Sequence, residues 1–133
     1  MKYRINPCDP TYFHIHECIR ENGFVEWKQR NYKYEIGDII FIYDSAPESR
    51  IAYMMEVEQV NISQSNSYDD SGYLIKKQED GYEGYVVRFK LLKEINSNEL
   101  TLANLLDHGL KGAPMGPMYA KEPLLSYILD NID

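Results

Sequence analysis

The chain has little that would suit export, metal binding or a familiar catalytic set. Only two cysteines, Cys8 and Cys18, occur in 133 residues. That is too few for a disulfide framework, and no C-x-x-C pair or Cys/His cluster points to zinc. Free thiols in a reducing cytoplasm are the expectation. No run of about 18 apolar residues occurs, so no membrane-spanning helix is expected. The start, MKYRINPCDP, lacks the apolar centre of a secretory signal. Cations are the minority, 14 Lys and Arg against 21 Asp and Glu, for a net charge of −7. This opposes non-specific binding to nucleic acid, where Lys and Arg neutralise phosphates, but it leaves room for a local basic patch. There is no G-x-S-x-G, no H-E-x-x-H and no phosphate-cradling glycine loop. His14 and His16 lie two apart on an expected helix and so face different ways. His108 falls near a helix C-terminus, where positive charge is favoured. Neither cysteine has an evident activating neighbour. No catalytic residue, metal ligand or cofactor is expected.

What the chain has is tyrosine: 12 Tyr beside 4 Phe and the single Trp27. Tyr offers a flat apolar face with a polar tip, suited to cores, interfaces and stacking pockets alike. The organising stretch is Glu35 to Val60. Ile39–Tyr43 and Ile51–Val57 are apolar β-type runs, preceded by the turn signal Gly37-Asp38 and joined through the polar link Asp44 to Arg50. The first run is apolar throughout, which predicts burial on both faces. The pair reads as the central hairpin of a small antiparallel barrel, with its loop at the rim.

Residues 2–6 read as an opening strand. Asp9-Pro10 reads as a helix start, followed by Tyr12, Ile15, His16 and Ile19 at helical spacing and a stop at Asn22-Gly23. FVEWK reads as extended. Asn61–Gly72 is polar and turn-rich, Tyr73–Lys76 a weak edge strand, Gln78–Gly81 a turn, and Gly84–Leu92 a strong strand. Asn96–His108 carries a helical apolar pattern, with Thr101 as cap and Gly109 as stop. The run Gly109 to Tyr119 has too much Gly and Pro for helix or regular strand, and it permits close backbone approach. Pro123 opens a last helix with Leu124, Leu125, Tyr127 and Ile128 as its apolar face. No repeat or linker divides residues 1–133, so one α+β domain is expected, strands in the middle and helices at the ends.

Trp27 stands in the polar context Glu26-Trp27-Lys28-Gln29-Arg30, with Lys33 close by. A core Trp is one reading. An aromatic flanked by cations is also what a base-stacking, phosphate-touching site needs. Tyr43 and Tyr53 are either strand tyrosines or neighbours at one barrel mouth, with Ser45-Ala46-Pro47 beside them. The Gly112–Met118 loop is either a connection or a wall, with Met115 and Met118 as adaptable contacts.

Four pieces together resemble the EVE domain, within the PUA-like superfamily that also holds YTH and ASCH domains. They are Val25–Gln29, then Gly37–Tyr43 with Ser45-Ala46-Pro47, then Arg50–Tyr53 leading into Glu56-Val57, and finally Gly109–Met118. The resemblance implies a PUA-like antiparallel β pseudo-barrel surrounded by short α-helices. It also implies a non-catalytic module that binds DNA or RNA and holds an extruded, modified base in an aromatic pocket. By that resemblance Trp27 stacks on the base or forms a pocket wall, Tyr43 and Ser45 line the floor, and the loop Met115, Gly116 and Pro117 borders it. Lys28, Gln29, Ala46, Pro47, Tyr53 and Gly112 complete the expected ligand-binding set. Relatives often carry a basic residue after the Gly-Pro-Met step, where this chain has Tyr119. A second implication is an ASCH-like small-molecule protein, binding or hydrolysing a nucleoside in the same pocket.

Overall fold

The computed structural model describes residues 1–76 and 82–133. The strands are β1 (Tyr3–Cys8), β2 (Phe24–Lys28), β3 (Ile39–Asp44), β4 (Arg50–Ile62), β5 (Val86–Glu94) and β6 (Met118–Tyr119). The helices are α1 (Ile15–Asn22), between β1 and β2; α2 (Leu102–Asp107), between β5 and β6; and α3 (Leu124–Asp130), after β6. The six strands make one sheet in the order β2-β5-β4-β3-β1-β6. The α+β expectation holds, and the β3–β4 hairpin lies at its centre.

All six residues of β3 are buried, because the sheet is covered on both faces. Ile40 and Ile42 pack with Ile15 and Ile19 of α1 and with Val57 and Phe89. Ile39, Phe41 and Tyr43 pack on the other side with Leu105, Leu124 and Ile128 of α2 and α3. Each such side chain contributes roughly 1.5–3 kcal/mol of burial.

A bulge interrupts the hairpin. Ile42 pairs with Tyr53 while Tyr43 pairs with Ile51, leaving Ala52 as the extra residue. Ile51 therefore joins the α2–α3 core, and Ala52 and Tyr53 join the α1 core.

Four local expectations are corrected. The sheet is mixed rather than purely antiparallel, since β1 pairs in parallel with β3 from Tyr3↔Ile39 to Cys8↔Asp44. The crossover that a parallel pair requires is supplied by α1 and β2. Helix α1 starts at Ile15, not at Asp9-Pro10. Asp9 instead accepts from the Thr11 N–H at 2.9 Å and its hydroxyl at 2.7 Å, closing a local turn. Within the Gly/Pro run, Met118 and Tyr119 do form a strand, paired with Ile5 and Arg4. Tyr73–Lys76 makes no regular strand, only a single bridge between Leu74 and Phe13.

Other signals behave as read. Gly23 closes α1 in the left-handed conformation, φ 75°, with its N–H on the Ile19 carbonyl. Thr101 caps α2 by accepting from the Asn104 N–H. The turn expected at Gln78–Gly81 lies outside the described residues. Among the described residues no helix is long and apolar enough to cross a membrane.

Candidate functional site

A cleft of about 1140 Å3 opens beside Trp27. Small-molecule sites typically run to about 300–1,000 Å3, so it can take a base with part of its sugar and flank. It is surrounded by the β1–α1 turn, β2 with residues 30–32 after it, the segment 64–76, residues 82–86 leading into β5, and the tip of the Gly/Pro loop.

β2 supplies the Trp. Trp27 is half-buried and packs on Phe89, ring centroids 5.8 Å apart and planes inclined at 39°. Its neighbour Glu26 has its side chain nearly enclosed, 3% exposed. Arg88 of β5 donates to Glu26 Oε2 from Nε at 3.0 Å and Nη2 at 2.7 Å, a forked ion pair. The Tyr68 N–H donates to Glu26 Oε1 at 2.6 Å. That bond draws the polar segment after β4 back across β2 and brings Tyr68 to the cleft. Further along, Ile75 donates its N–H to the Tyr12 carbonyl at 2.9 Å, and His14 donates to the Tyr73 carbonyl at 2.8 Å. The segment is thus fastened at both ends of the opening.

The opposite wall holds Tyr32. Behind it Arg4, 3% exposed, lies over the rings of Tyr34 and Tyr119 at 4.8 and 4.3 Å, and donates to the Lys33 carbonyl and to Tyr119 Oη. Asn6 donates to Tyr34 Oη at 3.1 Å. This stack holds the 32–34 segment, and Gly116 of the Gly/Pro loop passes over the Tyr32 hydroxyl. Lys28, Arg30 and Lys76 line the cleft among the aromatics, with Lys28 and Arg30 over the Tyr82 ring and Lys76 over Tyr12. Asp70 also lines it, its carboxyl pushed above the usual range by burial first and then by Glu26 and Asp69.

The expected site residues separate. Trp27, Lys28, Met115, Gly116 and Pro117 meet at the cleft. Tyr43 and Tyr53 do not share a mouth. Both are buried, 2% and 1% exposed, and they lie on opposite faces of the sheet. Ser45, Ala46 and Pro47 lie off the cleft, in a loop tied to β1 by the Ser45 N–H on the Cys8 carbonyl and to α2 through the Ser49 carbonyl. Gln29 spends its amide on Asn61, donating to Oδ1 at 2.8 Å and accepting from the N–H at 2.9 Å. Gly112 is exposed and outside the cleft. Sequence reasoning missed Tyr12, Phe13, Tyr32, Tyr68, Lys76 and Asp70. The surplus of tyrosine was a signal for Tyr12, Tyr32 and Tyr68; Phe13, Lys76 and Asp70 had none.

The arrangement offers stacking and hydrogen bonding, not an activated nucleophile. Burial, with help from Asp44 and Asp9, pushes the Cys8 thiol up to about 12, and burial pushes Cys18 to about 11. His16 is used structurally, with Nε2 at 2.9 Å from buried Asp44 and Nδ1 at 2.5 Å from Tyr53 Oη. No group of three or more His, Cys, Asp or Glu suited to a metal occurs among the described residues.

The fold is of the α+β class, one six-stranded mixed sheet covered by helices, with a cleft beside Trp27. No protein-family model and no curated protein matches the chain. Solved structures do. An ASCH protein from Zymomonas mobilis superposes with a TM-score of 0.68 at 14% identity, over 97% of this chain and 94% of that one. A structural-genomics protein from Pseudomonas syringae gives 0.66 at 18%, over 96% and 97%. The solution structure of a protein from Rhodopseudomonas palustris gives 0.67 at 15%, over 98% and 92%. At such identities the likeness is one of fold.

Proposed function

We propose that this chain is a non-catalytic reader that stacks an extruded, modified nucleobase on Trp27. The observation that supports it is the half-buried indole, held on its core side by Phe89 and lining a cleft shared with Tyr12, Tyr32 and Tyr68. Base–aromatic stacking contributes about 1–3 kcal/mol per base. Extruding a base costs a few kcal/mol, less when it is damaged, mismatched or single-stranded. The three cations at the cleft suit flanking phosphates, and Asp70 suits a donor on the base edge. A methyl group on the base would add ~0.8 kcal/mol. The finer EVE assignment rests on the four ordered sequence pieces and belongs to this proposal.

The second reading, an ASCH-like nucleoside-binding or nucleoside-hydrolysing protein, is favoured by the net charge of −7 and by Asp9 and Asp70 in the cleft. Because Trp27 is the sole Trp, its emission reports occupancy directly. Titration with modified nucleosides and with short oligonucleotides carrying the same bases separates the readings. Quenching by the oligonucleotides at much lower concentration than by the nucleosides supports the reader. Quenching by nucleosides alone supports the second reading. No quenching by either refutes both.

A further inference from the structure

Met115 is 99% exposed, an apolar side chain with essentially no protein around it. It stands at the lip of the cleft that Trp27 lines. Its loop is not slack. Pro114 before it is buried, Gly116 after it lies beside the Tyr32 hydroxyl, and half-buried Pro117 leads into β6. The chain therefore holds an unbranched hydrophobic side chain out into solvent on a proline-bounded tip. Within the same run Leu110 and Pro114 are buried and Met118 is half-buried in β6, whereas Met115 stands clear of the protein. Proteins that distort duplexes use this chemistry: Met, Leu, Phe, Ile or Pro pushed between base steps to fill an opened stack. A pocket for one base, a wedge at its lip and cations along the cleft are complementary parts of one operation.

We propose that Met115 is a wedge that enters the base stack of double-stranded DNA and occupies the place of the base taken up against Trp27. This rests on the base-pocket reading above and goes further, naming a base-paired partner and a residue that opens it. A single-stranded target has no closed stack to fill and gives Met115 no such task.

The test uses the full chain and a short DNA duplex with one central 2-aminopurine opposite thymine, beside the same labelled strand alone. Trp27 quenching is read for both forms, and the change in analogue emission between free and bound duplex serves as a second signal that the base has changed its stacking partner. Met115→Ala is expected to lower the ratio of duplex to single-strand affinity by about tenfold, the factor that ~1.4 kcal/mol carries, and to suppress the analogue signal. Met115→Leu is expected to retain both. Melting temperature stays level, since the side chain packs on nothing. Equal weakening on duplex and single strand overturns the wedge, as does an unweakened duplex complex or a wild-type protein that binds only the single strand. If neither form of the probe quenches wild-type Trp27, the pocket reading itself fails and takes the wedge with it.

Discussion

Trp27 and Phe89 meet across the β2–β5 pair with ring centroids 5.8 Å apart. Phe89 is fully buried, whereas Trp27 is half-buried and borders the cleft. The indole is thus anchored from within and approached from outside. Replacing it removes a stacking face and only part of a core contact. Trp27→Ala is expected to lower base affinity by the ~1–3 kcal/mol of one stacking interaction, and to cost less stability than the 3–5 kcal/mol of a fully buried Trp. Calorimetric titration and urea unfolding measured together decide it. Equal loss in both would make Trp27 a packing residue.

Salt dependence follows from the cleft charges. Lys28, Arg30 and Lys76 line the cleft. If these three meet phosphates, oligonucleotide affinity falls with salt with a log–log slope no steeper than about −2 for a single strand. Nucleoside affinity should not move with salt. A flat oligonucleotide response would remove the phosphate role.

Asp44 is 2% exposed, bonded to His16 through Oδ2, and its Oδ1 has no partner among the described residues. His16→Ala would strip the remaining side-chain bond from a buried carboxylate, at a cost of about 1–3 kcal/mol. Asp44→Asn in that background should recover part of the loss. Denaturant midpoints of the three proteins test this. A neutral His16→Ala would mean that the carboxylate is solvated in another way.

Stability should fall on the alkaline side. The folded Cys8 and Cys18 thiols ionise at about 12 and about 11, against an ordinary value of 9.0. In both cases burial is the main cause. Raised acids favour folding fully below their unfolded pKa, and that contribution is lost as pH rises through the folded values. Melting temperature should therefore decline from about pH 9 upward, and less so in Cys8→Ala/Cys18→Ala. An equal decline in both proteins would assign the loss to other groups, such as Tyr53, whose phenol burial pushes up to about 12.

The local signals in the sequence were dependable because their causes are local. Gly23 ends α1, Thr101 caps α2, and the apolar run at Ile39–Tyr43 is buried on both faces. What stayed hidden depends on partners distant in sequence. Nothing in KYRIN reveals that β1 lies parallel to β3. Nothing in NISQSNSYDDSG reveals that the Tyr68 N–H will reach Glu26, which is itself held by Arg88. That reach adds Tyr68 to the candidate site. The loss of Tyr43 and Tyr53 from it has a different origin: both are enclosed in the core, Tyr43 on the α2–α3 side and Tyr53 on the α1 side, where its hydroxyl meets His16.

The central hairpin has a mechanical consequence. Because β3 and β4 each send side chains to both faces of the sheet, one pair of strands serves as spine to both hydrophobic compartments. The two are expected to come apart together, so the molecule should melt as one cooperative body, with Trp27 emission and helix content lost at the same temperature.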